Sequence, residues 1–129
     1  MGIVVSDIEK SLAFYVGLLG LKIRTDMLER GDYIDNMLAL KDVQVRTVKM
    51  EADDGNLVEL LWYKSHPRTR IHANEICEIG ASHVAFTVGN LDEEYKRLSE
   101  MGVTFNCQPQ YSPDGRAKVT FCKDPDGTF

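Results

Sequence analysis

Two side chains capable of metal binding or proton transfer interrupt apolar stretches of this chain. Glu59 lies inside the run Leu57–Tyr63, and His83 opens the run that ends at Val88. A carboxylate in such surroundings is costly unless it is paired, protonated or bound to a metal. Carboxylate oxygen and imidazole nitrogen are both ligands of divalent first-row metals, and a carboxylate can also act as a general base. Glu59 and His83 are therefore candidate metal ligands, and Glu59 is also a candidate catalytic base.

Each of these residues also has a purely structural interpretation. Glu59 could sit at a sheet edge and reach water, or it could pair with an arginine such as Arg46. A single histidine on a strand is commonly an ordinary core or surface residue. The sequence around each residue leaves both interpretations open.

The strands that carry the two candidates have one apolar face and one mixed face, because side chains alternate along a strand. Val84, Phe86 and Val88 form a set suited to packing beneath a helix, which places His83 on the opposite, open side. In the other strand, the helix-facing set is Val58, Leu60 and Trp62. Glu59 shares the open face with Leu61 and Tyr63, and these two residues are predicted to line a cleft. Arg46 is a further candidate, for holding a substrate carboxylate.

An internal repeat supplies the elements that would position these residues. The stretch Ile3–Glu9 is echoed 83 residues later by Phe86–Asp92, and in both copies a short apolar run leads through a polar turn into a helical pattern. Two acidic turns, Asp53–Asn56 and Asp124–Gly127, each follow a strand rich in β-branched residues. The unit is thus strand, helix, strand, strand, strand, used twice.

This repeat predicts an α+β fold of two tandem βαβββ modules that form a curved mixed sheet around a cleft. The predicted first module covers residues 1–64, the linker 65–80, and the second module 81–129 with its last strand truncated. Strands are expected at residues 2–5, 21–24, 43–50 and 57–63, and again at 82–88, 103–105 and 117–122. Ser6 with Glu9, and Asn90 with Glu93, are predicted to cap the two helices, which Gly20 and Gly102 end.

The repeat also predicts partners for the two candidate ligands. His83 corresponds to the position immediately before Met1, and Glu59 corresponds to position 131, two past Phe129. A natural protein that extends at both ends would bring two histidines and two glutamates into one cleft. Two nitrogen and two oxygen ligands suit a divalent first-row metal with room left for substrate oxygens.

Composition excludes several other classes of function. The chain has 15 Lys and Arg against 20 Asp and Glu, and its net charge of −5 argues against nucleic-acid and anionic-membrane partners. Its three cysteines are far apart and are expected to be reduced thiols. There is no apolar run of membrane-spanning length and no signal-peptide pattern, so a cytoplasmic protein is expected.

Three segments resemble the vicinal oxygen chelate superfamily, which comprises the glyoxalase I, bleomycin resistance and extradiol dioxygenase proteins. The segment Val5–Tyr15, followed by Leu18–Leu21, is similar to the opening helix of that group. The segments His83–Val88 and Phe121–Gly127 are similar to its second-module signatures. The resemblance covers nearly the whole chain, and it is specific for the fold rather than for the reaction.

The resemblance implies a metal (Zn, Ni, Co, Mn or Fe) that chelates two neighbouring oxygens of a small substrate, with Glu59 and His83 at two ligand positions. It favours a lyase or isomerase of the lactoylglutathione lyase type. The alternatives are a metal-free binding protein of the bleomycin-resistance type, and an epimerase or dioxygenase of the same superfamily. A homodimer is expected, since exposed sheet edges and open cleft faces tend to be covered.

Overall fold

A computed structural model describes residues 1–67 and 75–129 of the chain. The chain divides into two compact units, Met1–His72 and Ala73–Phe129, and each is described by itself. The middle of the predicted linker, residues 68–74, lies outside the described residues. No helix in the described ranges is long and apolar enough to cross a membrane.

The first unit is built on a four-stranded mixed sheet. Its strands are β1 (Gly2–Val4), β2 (Lys22–Arg30), β3 (Gln44–Glu51) and β4 (Leu57–Tyr63), in the spatial order β1-β4-β3-β2. Strand β1 runs parallel to β4, whereas β3 is antiparallel to both β4 and β2. The α+β class agrees with the sequence prediction, and β4 has the predicted bounds. The predicted βαβββ order lacks the helix that lies between β2 and β3.

Helix α1 (Ile8–Leu12) begins one residue later than the capping-box spacing predicted. Asp7, not Ser6, is its N-cap, and the Asp7 carboxylate accepts hydrogen bonds from the backbone N–H groups of Glu9 and Lys10. The hydrogen bond from Lys10 lowers the pKa of Asp7 from its ordinary value of 3.8. A carboxylate satisfies free amides and favours the positive end of a helix more strongly than a serine hydroxyl does.

A π-helical segment, Ala13–Leu18, continues α1 towards the predicted stop at Gly20. The backbone N–H of Leu19 donates to the carbonyl of Phe14, five residues back, at 3.0 Å. Gly20 then takes a positive φ of 78°, which glycine adopts without steric cost. The wide turn packs one extra residue into the helix before this stop.

The core of the first unit lies on the face of the sheet that α1 contacts. Val48, Met50 and Leu60, in the two central strands, are fully buried there. Tyr15, from the π-helical segment, is 2% exposed. Of the β4 set predicted to face a helix, Val58 and Leu60 are buried and Trp62 is partly exposed. The second set predicted to pack beneath a helix is not buried: Phe86 is 36% and Val88 40% exposed.

A second helix, α2 (Asp32–Leu38), was not predicted, and it covers part of the opposite face. Ile34 packs with Val43 and Val45 in a buried cluster. The Asp35 carboxylate accepts the backbone N–H groups of Asp42 and Val43, at 2.9 and 2.8 Å, and so fixes the connection into β3. At this end of the sheet, both faces are thus covered.

The second unit contains one long helix and a small hairpin. Helix α3 (Leu91–Glu100) is capped by Asn90, as predicted, and is followed by Gly102 with a φ of 89°. Strands β5 (Gln110–Tyr111) and β6 (Lys118–Val119) pair in antiparallel fashion, and Phe105 forms an isolated bridge with Cys122.

Three of the predicted second-unit strands are therefore wrong or too long. Residues 82–88 form no strand in the described structure, 103–105 contribute one bridge residue, and 117–122 are reduced to β6 and the bridge at Cys122. No strand among residues 1–67 and 75–129 lies beside residues 82–88, and their backbone makes one described hydrogen bond, from Val84 N–H to the Phe129 carbonyl at 3.2 Å. A β-branched sequence does not form a strand without a partner to hydrogen-bond.

Candidate functional site

Glu59 lies in the interior of the first unit's sheet rather than at an edge. It sits on β4, directly opposite Gly2 of β1 on one side and Lys49 of β3 on the other. Its side chain is 30% exposed, on the face opposite α1. The sheet-edge interpretation of Glu59 is therefore wrong, and the carboxylate is a partly buried group on the open face, as the alternation predicted.

The two oxygens of the Glu59 carboxylate have different surroundings. Oε1 lies 3.7 Å from the ammonium of Lys49. Oε2 lies beside Gly2, where a β-carbon would come within 3.8 Å of it and within 3.1 Å of Leu61 Cδ1. Because residue 2 is glycine, no β-carbon crowds Leu61 or lies against Oε2. The two oxygens thus face different strands, Oε1 towards Lys49 of β3 and Oε2 towards Gly2 of β1.

Lys49 was missed by the sequence reasoning, although a signal for it existed. The turn at Asp53–Asn56 joins β3 to β4 and places residues 49 and 59 directly opposite each other. Opposed residues of antiparallel strands point to the same face. Continuing the predicted hairpin outward from its turn would have paired Glu59 with Lys49.

Leu61 and Tyr63 share the face of Glu59, as predicted, and both also have a packing role. Each is partly buried against the cluster of Ile34, Val43 and Val45 beneath α2. Leu61 in addition borders the space at Gly2. Leu61 is therefore the nearer of the two to the Glu59 carboxylate, and Tyr63 lies towards the end of the sheet that α2 covers.

Arg46 does not join Glu59, and both expectations for it need correction. It lies opposite Trp62, on the helix-facing side of the sheet. Its guanidinium binds both oxygens of Asp26, at 2.9 and 2.8 Å, and Glu9 Oε1 at 2.6 Å. The hydrogen bonds to Asp26, and secondly to Glu9, raise the pKa of Arg46. The hydrogen bond from Arg46 lowers the pKa of Asp26. Arg46 ties α1 to the sheet, so it neither pairs with Glu59 nor faces the candidate site.

His83 is an exposed residue of the second unit, and an aromatic ring orients its side chain. The imidazole meets the ring of Phe121 edge to face, with centroids 5.5 Å apart and planes at 84°. Phe121 in turn packs against Phe129 at 6.5 Å. The ring nitrogens of His83 make no hydrogen bond with any described residue. The imidazole is thus held by apolar contacts that leave both nitrogens uncommitted.

The donor types fit a divalent metal, but neither unit supplies a full ligand set by itself. Glu59 contributes a partly buried carboxylate, and His83 contributes an imidazole that makes no hydrogen bond to a described residue. Within residues 1–67 and 75–129, no three His, Cys, Asp or Glu side chains come together as a metal-binding group. The described residues thus account for part of a nitrogen and oxygen ligand set suited to such an ion.

Comparison with protein families gives a match over the whole length. The model of the Glyoxalase/Bleomycin resistance protein/Dioxygenase superfamily matches residues 1–129. The uncharacterized protein YwkD of Bacillus subtilis (strain 168) is 30% identical over 129 residues, covering 98% of this chain and 87% of its own length.

Solved structures show the same fold. A glyoxalase family protein from Bacillus cereus aligns with a TM-score of 0.86 at 22% identity, covering 99% of this chain and 86% of that one. The trypanothione-dependent glyoxalase I of Leishmania major aligns with a TM-score of 0.66 at 19% identity, covering 99% of this chain and 78% of that one. At these identities the alignments establish the fold alone.

Proposed function

This chain belongs to the Glyoxalase/Bleomycin resistance protein/Dioxygenase superfamily, and on that premise we propose that it is a metal-dependent lyase or isomerase of the glyoxalase I type. Its substrate is a small molecule with two neighbouring oxygens. The observation that carries the proposal is the Glu59 carboxylate, which is partly buried in the otherwise apolar strand β4.

In the proposed reaction Glu59 has two roles, as a ligand and as the base. A divalent metal held by Glu59 and His83 would act as a Lewis acid towards the two neighbouring substrate oxygens. The Glu59 carboxylate accepts the proton of a C–H bond and returns it to the adjacent carbon, so that hydrogen moves between the two carbons without net gain or loss.

The proposal is tested with two variants that each remove one carboxylate from the same face of the sheet. Glu59→Gln is expected to lower metal-dependent isomerisation of a glutathione hemithioacetal by about 100-fold or more, the scale of a lost general base. Glu51→Gln is the matched control, because Glu51 pairs with Arg24 at the far end of β3. It is expected to keep the rate within about twofold.

His83→Ala is expected to weaken metal binding by about 10-fold or more, because it removes one nitrogen ligand. Metal content by mass spectrometry and affinity by chelator competition measure this directly. Equal affinity and equal rate in Glu59→Gln, His83→Ala and the parent chain would refute the assigned roles.

A specific observation also favours the second candidate function, a metal-free small-molecule binder. Lys49 already offsets the charge of Glu59 at 3.7 Å, so the carboxylate does not need a metal to be stable in its place. A binder of this type would hold its ligand equally well with and without a strong chelator. Chelator-sensitive turnover would instead exclude it.

The expected homodimer is also part of the proposal. Strand β2 is exposed along nearly its whole length, and no described strand bonds to its outer edge. Open edges of this kind tend to be covered by another chain or element. Sedimentation equilibrium of the purified protein is expected to give twice the chain mass, and a single-chain mass at micromolar concentration would contradict the dimer.

A further inference from the structure

The cation nearest to Glu59 has no partner that occupies it fully. The side chain of Lys49 is 49% exposed, and its one described ion pair, with Glu59, spans 3.7 Å. This is longer than a hydrogen bond, and the ammonium donates none to any described residue. All three of its N–H donors are free for a ligand or for water.

Other paired cations of the first unit are held more tightly and elsewhere. Arg46 binds Asp26 and Glu9 at 2.6 to 2.9 Å on the opposite face. Lys22 donates to Asp53 at 2.9 Å. The hydrogen bonds of these two cations are already made, so an incoming anion engages Lys49 at less cost than it would engage either of them.

We propose that Lys49 is a specificity-determining residue that selects substrates carrying an anionic group, a carboxylate or a phosphate, next to the reacting position. The inference rests on the proposed function, because it places the reacting position at the Glu59 carboxylate. Lys49 lies on the Oε1 side of the carboxylate and Gly2 on the Oε2 side. The acidic group of the substrate therefore binds towards β3, and its reacting carbon lies towards β1.

The overall charge of the chain makes such a local cation necessary. A net charge of −5 disfavours the approach of an anion, and Glu59 itself repels one. An ammonium beside the carboxylate offsets this repulsion at short range. Selectivity that depends on one exposed charge must also weaken as salt is added.

A matched pair of ligands tests the inference without metal or turnover. Mandelate and its neutral amide, mandelamide, differ in charge but little in shape, and backbone amide shifts of residues 49 and 59 measure their binding by NMR in the presence of EDTA. We expect the parent chain to bind mandelate about threefold to tenfold more tightly, the scale of a charge-assisted contact at a half-exposed site. Lys49→Met is expected to abolish the preference, and Lys49→Arg to retain it.

Lys22→Met is the control, since it removes another paired lysine from the same sheet, away from Glu59. It is expected to leave the preference unchanged. Equal binding of the two ligands to the parent chain, no binding of either, or a preference that survives in Lys49→Met would overturn the inference. Because EDTA is present throughout, a preference that depends on Lys49 stands even if the Glu59→Gln and His83→Ala tests refute the metal-dependent reaction.

Discussion

The two units use the same local devices at equivalent positions. In the first, Ala52 N–H donates to the Asn56 carbonyl and Gly55 N–H to the Ala52 carbonyl, at 3.0 and 2.9 Å. In the second, Asp124 and Gly127 make the corresponding bonds, at 2.8 and 3.0 Å. Each pair of residues is separated by 72 positions, the offset of the acidic turns. The two turns are therefore built alike, down to their glycines of positive φ.

Equivalent ion pairs also tie each helix to its sheet. Arg46 binds Glu9 in the first turn of α1, and Lys118 binds Asp92 in the first turn of α3. The helix-capping residues Asp7 and Asn90 lie 83 positions apart, the offset of the opening strands. Gly20 and Gly102 are only 82 positions apart, because the first unit has one more residue between its helix cap and its glycine. The π-helical segment accommodates that extra residue.

The units differ in the element that joins these devices. In the first, β4 bonds to both β1 and β3, and Leu60 at its centre is fully buried. No described strand of the second unit takes that place, and its hairpin strands are two residues long. In the first unit, the Met1 amino group donates to the Leu57 carbonyl at 2.9 Å, and this hydrogen bond begins the β1–β4 pairing. In the second unit, the Val84 N–H donates to the Phe129 carbonyl at the equivalent positions, but no described strand pairing continues from it. Turns and helix caps thus form from residues close in sequence, whereas the strands require a central strand, such as β4, to bond to.

The largest test of this comparison substitutes one buried leucine in each unit. Leu60→Ala is expected to lower the free energy of unfolding by about 3 to 4 kcal/mol, because it leaves a cavity between two bonded neighbours. Leu98→Ala is expected to cost about 2 kcal/mol, since α3 covers a smaller core. Urea unfolding is followed by the fluorescence of Trp62 for the first unit and by amide hydrogen exchange of α3 for the second.

Val119→Ala is the control for the leucine pair, because Val119 is 52% exposed on β6. It is expected to change stability by less than about 0.5 kcal/mol. A larger loss from Leu98→Ala than from Leu60→Ala would show that the second unit has the stronger core and would break the comparison.

The paired helix-to-sheet contacts predict opposite pH limits for the two units. The Arg46 hydrogen bonds lower the pKa of Asp26 below 3.8, so its stabilisation is present above that pH and is lost as pH falls through the lower folded value. The Asp92 hydrogen bond raises the pKa of Lys118 above 10.5, so its stabilisation is present below that pH and is lost as pH rises through the higher folded value.

Arg46→Met is expected to destabilise the first unit by about 1 to 2 kcal/mol at pH 7, an amount already reduced for partial exposure of the group. Asp26→Asn is expected to flatten the loss of stability below pH 4. Lys118→Met should instead flatten the loss above pH 10 in the second unit. The unfolding midpoint of each variant is measured from pH 2 to 11. If Asp26→Asn loses as much stability below pH 4 as the parent chain does, the role of the Arg46 network is contradicted.

Local patterns predicted much of the fold, and they failed where distant partners decide the structure. The bounds of β4, the acidic turns and the Asn90 cap follow from alternation and turn chemistry. Strand β2 runs to Arg30 because β3 bonds to it along its length, although its own sequence alternates poorly. Helix α2 has seven residues, too few for a periodic signal, and tertiary packing of Ile34 stabilises it.

The candidate site was predictable only where one face of a strand is polar. Glu59 stands out because β4 is otherwise apolar. The face that Arg46 occupies could not be predicted, because β3 has buried residues on both faces: Val48 on one, and Val45 on the other in the cluster with Ile34. The proximity of Lys49 was available from the hairpin register and was missed. How Glu59 and His83 are placed relative to each other stays a prediction.

The smallest test concerns the turns, where the units should behave alike. Gly55 and Gly127 have φ values of 85° and 81°, a region in which a β-carbon meets the adjacent backbone. Gly55→Ala and Gly127→Ala are each expected to destabilise their own unit by about 1 kcal/mol, as measured by urea unfolding and amide exchange. Gly17→Ala, at a glycine with ordinary φ and open space around it, is expected to be neutral or slightly stabilising. If the two losses in free energy of unfolding differ by more than about 1 kcal/mol, the surrounding sheet, and not the turn itself, fixes the turn conformation. The turns would then belong, with the strands, to the features that depend on a central strand.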